Sequence, residues 1–334
     1  MTVADVPLLF VLAGLMLYVV LGGADYGAAI WQATAGRGTR AERIRAHAHD
    51  TMAPVWEANH VWLIFVLTVL WTAYPTAFAS LASTLAVALT AALLGIVGRG
   101  AAYALRSGSS DPRELVAIDA ASAAASVLAP FALGAAAGGI ASRRVPVGNA
   151  AGDLWSSWLN PTSVAVGIIA VSASAYLAAV FLTADARRVG DEELVVAFRR
   201  RALGAGLVTG ALALAGLVVL HQDAHRLFTR LLSGPGLPAV LLSVLAGGLT
   251  MLLTARGRHG PARYTAALAV AAVIAGWALA QQPELLPGLS VHEAAAPRST
   301  QIAVIVAVLA GGAVLFPSLA LLLRLTLAGE LREQ

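Results

Sequence analysis

No cysteine occurs among the 334 residues, which excludes disulfides, thiolate metal sites and cysteine nucleophiles. Lysine is absent as well, so all 22 basic residues are arginine. Charge of either sign is scarce: 12% of residues are charged and 59% are hydrophobic. An average soluble domain carries about 25% charged residues. With so few, this chain cannot cover a globule of its size with polar surface. Its hydrophobicity is blocked and not periodic. Long runs of Leu, Val and Ala alternate with short arginine-rich stretches, the pattern of repeated bilayer crossings. The net charge of +4 therefore does not point to nucleic acid, because the arginines stand at the ends of apolar runs and read as topology signals. Asp5 is the only early charge and no basic segment precedes Val6–Val20, so the first run is expected to be a span and not a signal peptide.

A helix needs about 20 apolar residues to cross the hydrocarbon core. Runs of that order lie at 6–31, 54–73, 76–101, 114–137, 161–183, 197–220, 236–254, 263–281 and 300–325. They predict an all-α, polytopic transmembrane helical bundle of about nine helices, forming a single integral membrane domain over 1–334. Only Tyr74-Pro75 separates the second run from the third, a tight turn, because proline disfavours helical geometry in the residue before it. The loops on one side of the nine runs carry 17 arginines and those on the other carry 5. The positive-inside rule then places the N-terminus outside and the C-terminus in the cytoplasm of a multi-pass cell-membrane protein. Small-residue spacings at Gly23–Gly27, Gly134–Gly138 and Gly206–Gly210 suit close helix packing and carry no function.

Ionisable residues inside the runs are the informative exceptions, since a charge near the bilayer centre costs about 2.5–3.5 kcal/mol on insertion scales. Asp25, Glu57, Arg99 and Asp119 fall one on each of the first four runs, all near the arginine-rich side. At about 1.5 Å per residue, Asp25 lies roughly 9 Å and Glu57 roughly 5 Å from that end. The four are expected in one shallow layer, as an ion-pair network or a proton-accessible pocket. Either Asp25 or Asp119 paired with Arg99 would serve packing as well as conduction. Glu57 differs in its setting, Trp56-Glu57-Ala58-Asn59-His60, where Trp56, Glu57 and His60 share a helical face with Asn59 at its margin. Burial raises a Glu pKa and lowers a His pKa, bringing both toward neutrality, where proton relay works best.

Other polar clusters point to structure. His47-Ala48-His49-Asp50 lies in a basic stretch that reads as a solvated loop or an interfacial amphipathic helix before it reads as a metal site. Trp71, Trp155 and Trp158 sit near predicted interfaces, and His221 and His225 sit at the outer end of the sixth run, where surface capping is the default. Transmembrane haem sites need paired axial ligands such as His/His or His/Met. His60, His221, Met16 and Met251 supply no evident pair, so no haem and no metal are expected in this chain.

The stretch Ala53-Pro54-Val55-Trp56-Glu57-Ala58-Asn59-His60-Val61-Trp62-Leu63-Ile64 resembles the signature opening the second helix of cytochrome bd quinol oxidase subunit II. Gly23-Ala24-Asp25-Tyr26-Gly27 is similar to the motif ending the family's first helix, and Tyr74-Pro75 to its aromatic-proline turn. Arg99 with Arg106 resembles the pair closing its third helix. Asp119 with Ala129-Pro130 and Gly134 resembles its fourth, and Leu159-Asn160-Pro161 its entry to the fifth. Gly276-Trp277-Ala278-Leu279-Ala280-Gln281 and Leu315-Phe316-Pro317-Ser318 are similar to late motifs of the cyanide-insensitive branch. The correspondence runs in order along nearly the whole chain. Many members carry Asp where this chain has Glu57, Gln where it has His60, and an acidic residue where it has Gly22.

The resemblance implies the second subunit of a respiratory-chain oxidoreductase that oxidises a membrane quinol and reduces O2 to water. Haems b and d and the quinol-oxidising loop would belong to a partner, subunit I, in a heterodimer embedded in the bilayer. A structural quinone in this chain is left open. Glu57 occupies the position assigned to a cytoplasmic proton pathway, with His60, Asp25 and Asp119 beside it and Trp56, Asn59 and Arg99 in support. On the residues alone, the alternative is a proton-coupled secondary transporter. Against it, no interrupted helix pair recurs in two halves, and the ionisable groups crowd toward one side and not the midplane.

Overall fold

With no water in the hydrocarbon core, a crossing segment must satisfy its own backbone hydrogen bonds, which a helix does internally. The computed structural model describes the backbone of residues 2–52, 56–108 and 111–327, and within these the side chains other than those of 56–58, 107, 112, 316 and 319–327. It is a polytopic helical bundle. Eight helices among the described residues are long and apolar enough to span a bilayer, and a ninth apolar stretch, Asn59–Ala73, is shorter.

The first span is a continuous helix, Val3–Ala33, made of α1 (Val6–Leu17), a π-helical turn (Tyr18–Gly22) and α2 (Gly23–Ala33). Next, α3 (Thr39–Met52) is the amphipathic helix that the basic stretch around His47 allows. It buries Ala41, Ile44, Ala48 and Met52, one face at helical spacing. The second and third spans are α4 (Trp56–Ala73), then α5 (Pro75–Thr84) with α6 (Ala86–Gly108). The run expected as one helix over 76–101 is thus divided at Leu85 and extends to Gly108. Leu85 leaves helical geometry (φ −95°, ψ 18°), yet its N–H still reaches the Leu81 carbonyl and its own carbonyl accepts from Leu89. Hydrogen bonding is kept on both sides of the break.

The remaining spans are α7 (Pro112–Ala141), α8 (Pro161–Arg188), α9 (Glu192–Asp223), α11 (Leu237–Ala255), α12 (His259–Gln281) and α14 (Arg298–Leu327), with a short α10 (His225–Leu232) after α9. Between α12 and α14 the chain forms a hairpin of β1 (Glu284–Leu286) and β2 (Leu289–Ser290), then α13 (Val291–Ala294). The helix α8 is central, packing against α2, α7, α9 and α12. Gly27 and Gly138 permit this approach, because a Cβ at either would overlap the backbone of Ser174 or Ser163 on α8. By contrast Gly210 faces open space, so Gly206–Gly210 is not a close-packing pair.

On the arginine-poor side, polar contacts lock the loops. Asp223 accepts two hydrogen bonds from Arg144, at 2.7 and 2.9 Å, and two more from the Thr162 hydroxyl and N–H at the start of α8. Glu284 of the hairpin pairs with Arg143 and Arg226. Arg230 donates to the carbonyls of Ala280 and Gln282, each at 2.7 Å. Of the three tryptophans expected near interfaces, Trp71 and Trp155 are exposed, while Trp158 is buried in the core.

The Arg143 guanidinium holds the Glu284 carboxyl below its ordinary range. A depressed folded-state pKa means that the tether's stabilisation is complete above the unfolded value, about 4.3. It is lost as pH falls through the folded value. Backbone protection of the hairpin by hydrogen exchange, corrected for intrinsic rates, is therefore expected to be flat from pH 8 to about 5 and to fall only in stronger acid. Glu284→Gln should be looser across that flat range and converge with wild type in strong acid, and identical profiles for the two proteins would refute the tether.

Candidate functional site

Three helices near the arginine-rich end carry polar stripes on otherwise apolar surfaces. Along α6, Arg99, Tyr103 and Arg106 recur at i, i+4 and i+7; along α7, Asp119, Ser122 and Ser126 recur at i, i+3 and i+7. On α2, Asp25 and Gln32 are also seven residues apart. Packing α2, α6 and α7 together brings these stripes face to face, and α3 closes the top with His49 and Met52. They line a narrow crevice of about 20 Å³, room for a single water molecule.

The floor of the crevice is an ion pair. Arg99 and Asp25 are 7% and 2% exposed, so neither charge is solvated by bulk water. The guanidinium grips the carboxylate by two bonds, Nε to Oδ2 at 2.9 Å and Nη2 to Oδ1 at 2.5 Å. The Asp25 carbonyl (3.1 Å) and the hydroxyls of Ser126 (3.1 Å) and Ser122 (3.4 Å) accept its remaining donors. Tyr26 lies under the guanidinium, 5.9 Å from ring centroid to Cζ, and shares a hydroxyl–hydroxyl hydrogen bond of 3.2 Å with Tyr18. This floor satisfies the rule that a buried charge survives only when paired and hydrogen-bonded.

The mouth of the crevice holds a second pair, Arg106 with Asp119, whose side chains are 37% and 42% exposed. Arg106 stands seven residues beyond Arg99 on α6, so the two pairs are separated by about 10 Å along the helix. Of the residues expected in one shallow layer, Asp25 and Arg99 form the buried pair, and Asp119 belongs to the half-exposed pair at the mouth of the same crevice.

His49 stacks on Tyr103 beside the mouth, with ring centroids 5.1 Å apart. Burial, followed by the nearby Arg106 cation, holds its imidazole below the ordinary histidine range, so it is neutral at pH 7. His47 is turned the other way, toward Asp185 and the Phe198 ring. The two histidines of the stretch thus face different neighbours, as positions two apart on a helix do.

Asn59 is buried, and its Nδ2 donates to the Leu21 carbonyl at 3.2 Å, inside the π-helical turn of the first span. A π turn displaces the regular i→i+4 ladder, and the Asn59 amide pins it from α4. His60 is partly buried one residue on. Trp56 and Glu57 lie at the start of α4, and their side chains fall outside the described residues.

Two of the candidate haem ligands are engaged by protein neighbours. His221 packs edge-on against His225 and Phe228 at the C-terminal end of α9, with ring centroids 5.0 and 4.8 Å apart. The Met251 sulfur packs over Gly206. A cavity of about 640 Å³ has neither His nor Met in its wall.

A family model described as cytochrome bd terminal oxidase subunit II matches residues 3–326. No curated protein matches the chain. Among solved structures, the bd oxidase from Geobacillus thermodenitrificans is similar over 100% of both chains, at 23% identity and a TM-score of 0.78. At that identity the likeness concerns the fold.

Proposed function

The chain belongs to the cytochrome bd terminal oxidase subunit II family, and from that premise we propose that it pairs with a haem-bearing subunit I and supplies that partner with a proton entry path. It is a multi-pass protein of the cell membrane. In this reading the complex oxidises a membrane quinol and reduces O2 to water, with haems b and d held by subunit I.

The observation that carries the proton-path reading is the crevice between α2, α6 and α7. It links a half-exposed carboxylate, Asp119, to a buried floor through neutral His49 and Tyr103. Asp119 exchanges protons with the aqueous side, its negative form held by Arg106. Asp25 is assigned an anchoring role and not a carrier's, because both its oxygens are engaged by Arg99 and protonation would strand that cation. Glu57 and His60 are the exchanging groups on α4, tied to the first span through Asn59. Trp56 stands beside them at the start of the helix.

The arginine-rich side is taken as cytoplasmic. The bias of 17 arginines against 5 supports this.

Affinity purification of the chain from its own membranes tests the assembly. The expected result is a copurifying membrane protein with haem absorbance in the visible range. A colourless preparation of this chain alone would contradict the reading and favour a proton-coupled transporter.

A further inference from the structure

A second crevice, about 640 Å³, opens between α2, the start of α3, α8 and α9 and shares no residue with the arrangement above. Its rim is cationic, with Arg37, Arg40, Arg200 and Arg201 and no carboxylate in the wall. Arg40 is drawn 3.7 Å from Glu193. Among the described residues no carboxylate pairs with Arg37, Arg200 or Arg201. Arg201 is held in place by the Trp31 and Phe198 rings, 5.8 and 5.6 Å from its Cζ, and by the Ala197 carbonyl. Arg37 and Arg200 are exposed.

Below the rim the wall is almost wholly apolar. From Arg201 to Val208 along α9 it descends about 10 Å toward the hydrocarbon, past Gly204. Leu207 and Val208 are 69% and 54% exposed, so the lower part opens sideways to the bilayer. Uncompensated cations at the water boundary above an apolar trough are matched by one amphiphile, with a phosphate at the top and an acyl chain beneath.

We propose that this crevice is a binding site for an anionic phospholipid. Its phosphate meets Arg37, Arg200 and Arg201, and one acyl chain lies along Gly204 to Val208. A quinone or a neutral lipid would fill the trough and leave the guanidinium groups uncompensated. A free phosphate would meet the arginines and leave the trough without an occupant. The site stands apart from the proton path, and its test reads lipid binding, not turnover.

The intact complex is purified, exchanged exhaustively into detergent, and its retained phospholipid identified by mass spectrometry. Rebinding is then measured with phosphatidylglycerol, phosphatidylcholine and inorganic phosphate. Wild type is expected to retain anionic lipid and to prefer phosphatidylglycerol. Each basic residue near an anionic surface strengthens attachment about fivefold, so Arg37→Gln/Arg200→Gln should weaken binding roughly 25-fold. At Gly204 an added Cβ meets no atom within 4 Å. Gly204→Leu should therefore fill the trough without disturbing the bundle, and should abolish lipid binding with every arginine retained. Should the double variant fail to accumulate, Gly204→Leu carries the test. Equal affinity for the two lipids, or unchanged retention in Gly204→Leu, would overturn the proposal. Phosphate binding that the arginine changes remove and Gly204→Leu spares, with no lipid bound, would also overturn it.

Discussion

Replacing Arg99 with Gln is expected to remove nearly all assembled complex from the membrane. The substitution leaves the Asp25 carboxylate 2% exposed with its guanidinium partner gone. Breaking a buried pair from one side costs about 3–5 kcal/mol, because the remaining charge has lost both its partner and its water. Membrane domains with net stabilities of about 5–15 kcal/mol lose a large share of their margin at that cost. Asp25→Asn strands the opposite charge and should fall in the same range. The double variant Asp25→Asn/Arg99→Gln carries no buried charge, and its amides can still bridge α2 and α6, so most of the assembled complex should return. A coupling energy of about 3 kcal/mol in that cycle is the expected signature. The measurement is haem absorbance per membrane protein together with the yield of copurified partner. Normal accumulation of Asp25→Asn with turnover lost would show instead that Asp25 carries protons.

The spans were legible because a bilayer imposes one length on every crossing and excludes charge, so hydropathy alone marks them. Their ends were not. The helix α9 begins at Glu192, capped by the Asp191 side chain on the Leu194 N–H, five residues before the apolar run starts. Polar first turns of this kind lie above the hydrocarbon and carry no hydrophobic signal. The hairpin 284–290 was missed for the same reason, although Ser290 and Glu293 form a capping box that a closer reading would find. The helix α3 is too polar to read as a span, yet Ala41, Ile44, Ala48 and Met52 mark its buried face.

The candidate site was legible as residue types and not as pairs. Asp25, Arg99 and Asp119 stand out because each is costly in an apolar run. The stripe from Asp119 through Ser122 to Ser126 is visible in periodicity. What periodicity lacks is the identity of neighbouring helices, so nothing in one dimension told that Arg99 takes Asp25 and leaves Asp119 to Arg106. The role of Asn59 was hidden more deeply, since it depends on a π turn in another helix. That turn has no sequence marker comparable to a proline.

The proton path is tested most directly by Glu57→Gln in the intact complex, with quinol-driven O2 consumption and the reduced haem spectrum recorded on the same sample. Removing a proton-transfer group costs about 10²–10⁴-fold where that transfer limits the rate. The account predicts a fall in turnover of at least about tenfold, with haem content and spectrum kept, because the amide preserves shape and loses only the titrating proton. Turnover at the wild-type rate, with the same spectrum, would contradict it.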